Sequence, residues 1–178
     1  DLYNAQGFPS KGLGYFLDSI REYRKQGGRG VVYVSVCGLP ENENLAPAFR
    51  ELELLAETLE PYADGFVWNP FSPNTAALKK LRVAGVFKES AALLQEKAKK
   101  KLKLVKMGPY EEEGRGDWLS LAEGWMQGGG DGIVAVNTSL VPREQIPSKH
   151  WGYASAGRSG RFLRPYRQKA VSDARREF

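Results

Sequence analysis

Residues 69–75 read Asn69-Pro70-Phe71-Ser72-Pro73-Asn74-Thr75 and follow a short apolar run, Gly65-Phe66-Val67-Trp68, that has the character of a buried parallel strand. A hydroxyl flanked by two carboxamides at the carboxyl end of such a strand presents a small polar ligand to a reactive group. Polar residues of matching type stand where other apolar runs end: Ser35, Lys106, and Asn137 with Thr138. Each alone reads as an ordinary turn or surface position. Together they deliver amide, hydroxyl and ammonium groups to one rim. A serine hydroxyl is a poor base unless a relay and a dry pocket assist it. A carboxamide offers a donor and an acceptor in one plane. A fixed ammonium stabilises negative charge that develops on a bound ligand. Such chemistry needs no metal, and the single histidine, His150, reads as a loop residue.

The elements that must position these groups follow from periodicity. Leu13, Phe16, Leu17 and Ile20 form a helical stripe, and residues 30–36 form a strand. Residues 46–59 are helical with Leu52, Leu54, Leu55 and Leu59 as the apolar face, and residues 65–68 are the next strand. A helix over 90–101 leads into a strand over 102–106, and a helix over 118–126, closed by Gly128-Gly129-Gly130, leads into a strand over 131–136. A loop containing Pro and Gly precedes a last helix over 165–176. Strands alternating with helices imply crossovers and a parallel sheet, that is, an α/β fold of (β/α)8 barrel type represented by about four units.

The chain has 178 residues, 42% hydrophobic and 26% charged, which bounds it to one soluble domain spanning 1–178. A lone cysteine, Cys37, excludes an internal disulfide and a thiolate metal cluster, and favours a reducing compartment. No apolar run approaches the roughly 18 residues of a membrane span, and no signal peptide stands at the start, so a cytoplasmic or peripherally membrane-associated protein is expected. The net charge of +5 is densest over residues 97–106 and 158–176. The first segment fits a solvated helix end running into a strand in preference to a nucleic-acid patch. The second, with Arg158, Arg161, Arg164, Arg167 and Lys169 near Tyr153, Phe162 and Tyr166, fits a solvated helix face or lines a phosphate site. No nucleic-acid partner is expected.

Several motifs then carry a resemblance to the dihydroorotate dehydrogenase family. Its substrate loop, Asn-x-x-Gly-Phe-x-x-x-Gly, is similar to Asn4-Ala5-Gln6-Gly7-Phe8-Pro9-Ser10-Lys11-Gly12, and its Asn-x-x-Ser-Pro-Asn-Thr signature is met by residues 69–75. Val105-Lys106-Met107-Gly108-Pro109 resembles its Val-Lys-x-x-Pro strand, residues 131–138 its Asp-Gly-x-x-x-x-Asn-Thr strand, and Gly157-Arg158-Ser159-Gly160 its late Gly-x-Ser-Gly loop. Motifs in the right order along nearly the whole chain are far more specific than any one of them. The resemblance implies FMN-dependent oxidation of dihydroorotate to orotate, in pyrimidine biosynthesis. Ser72 takes the proton from C5 while hydride leaves C6 for the flavin. Asn4, Gly7, Phe8, Asn69, Asn74, Asn137 and Thr138 contact the substrate. Ser35, Asn69, Lys106, Thr138, Ser159 and Gly160 contact FMN, with Lys106 over the N1/O2 edge and Gly160 at the phosphate. Phe8 and Thr75 resemble the pair that gates proton exit. A serine at position 72 is similar to the quinone-linked, membrane-associated branch, where the soluble enzymes carry cysteine.

Departures are also legible. The Asn-Ile-Gly-Lys-Asn motif is replaced by Ser35-Val36-Cys37-Gly38-Leu39, Ala5 stands where a large basic residue is common, and Phe71 is bulkier than the usual Ser or Cys, which would narrow the pocket. Cys37 reads as a packing residue. These changes keep open a related flavoprotein acting on another dihydropyrimidine, and the missing strands keep open a non-catalytic half-barrel binding module. A four-strand arc leaves unpaired edges and an open interior, so the chain is expected either to be a fragment or to have its barrel completed by a second chain.

Overall fold

The computed structural model describes residues 1–110 and 114–178. Its centre is a four-stranded sheet of β2 (Tyr33–Val36), β3 (Gly65–Trp68), β4 (Leu102–Lys106) and β5 (Gly132–Val134), in that order. All three pairings are parallel. Helices α1 (Leu13–Lys25), α2 (Ala46–Leu59), α3 (Ala84–Lys97) and α4 (Arg115–Gln127) alternate with these strands, as the periodicity predicts. The fold is thus an arc of a (β/α) barrel whose outer strands, β2 and β5, each keep one free edge.

The helices form where apolar residues recur every three or four positions. In α2, Pro47 opens the first turn, where its missing N–H costs nothing, and Ala48, Leu52, Ala56 and Leu59 lie on one buried face. In α3 the buried face is Val86, Phe87, Ser90, Ala91 and Leu94, and in α4 it is Trp118, Leu121, Ala122, Gly124 and Trp125. Helices α3 and α4 approach closely because a Cβ on Gly124 would stand 2.4 Å from the Ala84 carbonyl oxygen, and one on Gly128 2.2 Å from that of Lys88. Helix α3 spans residues 84–97, six residues earlier at its start than the periodicity over 90–101 suggests.

The two faces of the parallel sheet differ. Side chains alternate across a strand, and Val34, Val36, Phe66, Trp68 and Val105 point into the helix-covered core. There Trp68 stacks on Trp125 with ring centroids 5.7 Å apart and meets the edge of Phe87 at 4.8 Å. The register places Ser35, Val67, Leu104 and Gly132 in one row on the opposite face, with Tyr33 below and Lys106 and Val134 above. That face carries no helices among the described residues, and Tyr33 is 43% exposed.

A second sheet corrects the expectation of a plain loop after residue 138. Strands β6 (Ser139–Pro142) and β7 (Ser155–Ser159) are antiparallel, and β1 (Leu2–Asn4) pairs with the other side of β7. They enclose a small separate core of Val141, Ile146 and Ala156, against which Tyr3 and Trp151 pack. His150 lies in the loop between β6 and β7. The last helix, α5 (Arg164–Glu177), buries Ala170 and Asp173 and turns its arginines outward.

The basic stretch over 97–106 is less solvated than its composition suggests. Lys97 bridges Glu53 at 2.5 Å and Glu57 at 2.8 Å on α2. Lys103, only 3% exposed, is paired with Asp131 at 3.1 Å and donates to the Lys101 carbonyl at 2.7 Å. A lysine sealed among strands is retained where its ammonium has such partners. No helix of the described residues is long and apolar enough to cross a membrane.

Candidate active site

The heptad after β3 descends from the strand directly: the Asn69 N–H donates to the Val36 carbonyl at 3.0 Å, which continues the β2–β3 ladder by one step. Extending the β3–β4 register by the same step sets Asn69 beside Lys106 at the carboxyl ends of adjacent strands. Asn69 is 8% exposed, and its Oδ1 is buried with no hydrogen-bond partner. A buried carboxamide acceptor without a donor is costly, and a ligand N–H at this position would relieve that cost.

Ser72 is buried, and the Thr75 hydroxyl donates to its Oγ at 3.2 Å, while the Thr75 N–H reaches the Ser72 carbonyl at 3.4 Å. The turn therefore places a second hydroxyl directly behind the first. Asn74 turns toward the N-terminal segment, donating from Nδ2 to the Gln6 carbonyl at 2.7 Å and to Asn4 Oδ1 at 3.5 Å. Gly7 lies over Thr75, close enough that a Cβ on it would be 3.4 Å from Thr75 Oγ1. Phe8 lines the cavity beside Asn69.

From β5, Asn137 enters the same region. Its backbone N–H donates to the Met107 carbonyl at 2.8 Å, its side-chain Nδ2 donates to the Phe71 carbonyl, and its Oδ1 accepts the Thr138 N–H at 2.9 Å. The amide is thereby held in one orientation. Lys106 ends β4 half-buried, and burial alone pushes its ammonium below the ordinary lysine range. A cation in that setting is one whose charge is under-solvated and best compensated by a ligand's negative charge.

A cavity of about 700 Å³ adjoins Asn69 and is lined by Phe8, Phe16, Ser35, Cys37 and Leu55 among others. Ser35 contributes its hydroxyl from the open face of β2. The Cys37 thiol is pushed up to about 12, by burial first and the Glu51 carboxylate second, so it remains a protonated packing group.

Not every expected residue joins this rim. Ser159 and Gly160 sit at the end of the antiparallel β7, where the Ser159 hydroxyl donates to the Leu2 carbonyl at 3.5 Å. A Cβ on Gly160 would stand 3.1 Å from the Asp1 Cα. The Asp1 carboxylate there accepts from Arg158 at 2.5 Å and from the Phe162 N–H at 3.3 Å. Phe71 does not narrow the cavity; its ring is buried in the core against Phe87 at 6.1 Å, with the Arg82 guanidinium 4.5 Å from its centroid. Two acceptors escaped sequence reasoning: the backbone carbonyls of Gln6 and Phe71, which fix Asn74 and Asn137. Every residue has a carbonyl, so no residue type could have marked them.

The donor set suits a flat, hydrogen-bonding cofactor and substrate: an orphan amide acceptor, a fixed amide, an under-solvated ammonium and paired hydroxyls, beside an open sheet face. The dihydroorotate dehydrogenase family model matches residues 1–177. The dihydroorotate dehydrogenase (quinone) of Pseudoalteromonas atlantica is 26% identical over 179 residues, covering 96% of this chain and 51% of that protein. The enzyme of the same name from Thermus thermophilus is 32% identical over 166 residues, covering 92% of this chain and 45% of that protein. The chain thus spans about half the length of the curated relatives it matches. In fold it is similar to the crystal structure of DHODH in complex with ferulenol from Eimeria tenella, with a TM-score of 0.78 at 23% identity over 96% of this chain and 51% of that one.

Proposed function

The chain belongs to the dihydroorotate dehydrogenase family, and from that membership we propose that it carries the substrate-binding rim of an FMN-dependent enzyme that oxidises dihydroorotate to orotate in pyrimidine synthesis, with a quinone as electron acceptor. The observation that carries the reading is the hydroxyl pair of buried Ser72 and half-buried Thr75 beyond the carboxyl end of the strand next to Lys106. When bound, FMN supplies the two-electron chemistry by accepting the hydride from C6 of dihydroorotate.

The residues of this chain do the rest. Ser72 Oγ takes the proton from C5 as its own proton passes to Thr75 Oγ1, 3.2 Å away, whose hydroxyl turns from Ser72 and releases its proton to water on the side of Phe8. This relay offsets the weakness of a hydroxyl base because Ser72 is buried, while half-buried Thr75 gives the proton its way out. Asn69 Oδ1, unpaired in this structure, accepts a ring N–H. Asn137, with its amide orientation set by Phe71 and Thr138, presents its remaining donor and acceptor to the pyrimidine. Asn74, steered by Gln6, closes the substrate from the side of Asn4, Gly7 and Phe8. Thr138, beside Asn137, would contact both the substrate and the bound cofactor. Lys106 would hold the electron-rich edge of bound FMN, where its ammonium would stabilise negative charge, and Ser35 would donate to the ring from β2. Ser159 and Gly160, apart from the rim on β7, would be the residues to hold the phosphate of bound FMN.

The test is the visible spectrum of the purified chain with and without added FMN and dihydroorotate. Flavin absorbance that bleaches on adding dihydroorotate is expected, and Ser72→Ala should slow the bleaching by about 10²–10⁴-fold without loss of the flavin. A colourless protein that leaves added FMN unperturbed would overturn the flavin reading for this chain.

A further inference from the structure

The heptad that bears Ser72 contains one side chain that turns away from the rim, and nothing in the chemistry above employs it. We infer that Phe71 is a positioning residue that sets the spacing of Ser72, Asn137 and Lys106 by bracing the turns after β3, β4 and β5 against one another. The inference rests on the reading of those three residues as the working groups.

Three contacts close a triangle among the turns. Phe71 to β5: its carbonyl accepts from Asn137 Nδ2. From β5 to β4, the Asn137 N–H donates to the Met107 carbonyl at 2.8 Å, and the Met107 N–H in turn donates to the Val134 carbonyl at 3.0 Å. From β4 back to β3, the Phe71 ring lies so close over Gly108 that a Cβ there would be 2.4 Å from the ring. The corners after β3 and β4 are also held from outside. Arg82 covers the ring and donates from Nε to the Pro70 carbonyl at 3.5 Å, Phe87 meets its edge, and Trp118 Nε1 donates to the Gly108 carbonyl at 3.2 Å. A small residue at position 71 would leave the carbonyl in place but nothing to keep it at its distance from Met107 and Gly108. Catalytic groups work only when supporting side chains lock them to within a fraction of an ångström. A serine or cysteine at this position would be too small to make that contact, so Phe71 and Gly108 act as a matched pair.

The pair is tested by breaking it from the glycine side and restoring it from the other. In Gly108→Ala the new methyl displaces the ring. The Lys106 titration, followed by NMR of its side-chain carbons, should then move up toward the ordinary lysine range as water reaches the ammonium. Exchange of the Asn137 backbone N–H should quicken by about tenfold. Adding Phe71→Val makes room for the methyl and should return both signals to their wild-type values. A simple core-filling role would lower the unfolding temperature and leave both native-state signals unmoved, which would overturn the inference. So would a double variant in which the altered signals persist. If Gly108→Ala does not fold, the double variant decides alone: a folded protein with wild-type signals supports the pairing, and any other result overturns it. Neither readout requires FMN or turnover, so failure of the flavin reading leaves this test standing.

Discussion

The two faces of the parallel sheet are built from the same strands yet serve opposite ends. On the helix-covered face, Phe66, Trp68 and Val105 are fully enclosed, and their partners are other apolar side chains. On the other, Tyr33 and Ser35 are exposed, Lys106 is half-buried, and the polar groups at the strand ends retain unused hydrogen-bonding capacity. One residue step along a strand exchanges one environment for the other, so stability and chemistry are interleaved at single-residue spacing. The lesson is that the working groups are borne by residues whose neighbours in sequence pin the strand into the core: Trp68 before Asn69, and Val105 before Lys106.

The comparison breaks first, if it is to break, at Trp68. Replacing it with alanine removes a ring stacked on Trp125 and edge-on to Phe87, and should cost about 3–5 kcal/mol in urea unfolding. Tyr33→Ala, on the open face of the neighbouring strand, should cost about 1 kcal/mol or less in the same assay, since much of its ring already faces water. Equal losses at the two positions would mean that the open face is covered in solution. The smallest effect concerns Lys106. Burial holds its folded-state pKa below the ordinary 10.5, so within the window between the two values the unfolded chain binds more protons. Stability contributed through this residue therefore rises with pH across that window, while below it the full penalty of the half-buried ammonium is present. Lys106→Met should flatten the rise in a series of urea titrations spanning that window, and an unchanged slope would place the ammonium in water.

Much of the parallel sheet was legible because each unit announces itself locally. A helix such as α2 shows its apolar stripe within one segment, and a strand such as β3 is a compact apolar run between turns. The antiparallel sheet was not legible for the opposite reason. Strand β7, Ser155–Ser159, has neither alternation nor branched residues, and it is a strand because Asn4 pairs with Gly157 and Leu140 pairs with the same residue from its other side. Such pairing is decided by distant partners, and local propensity carries no trace of it. The same divide runs through the site: the types Asn, Ser, Thr and Lys at strand ends are visible in the sequence, whereas the carbonyls that steer Asn74 and Asn137 are not.

By itself, then, the sequence determined which polar residues follow the strands, and hence which chemical groups stand near the rim, because strand and helix periodicity are written into consecutive side chains, although β5 ends at Val134, short of the expected 136. The tertiary structure alone decided that Phe71 points into the core, that Lys103 is sealed against Asp131 while Lys106 is only half-buried, and that Ser159 and Gly160 lie on a separate sheet. Each of those outcomes depends on what packs across a gap from a residue far along the chain, and burial, desolvation and hydrogen-bond pairing are properties of that meeting and not of either segment alone.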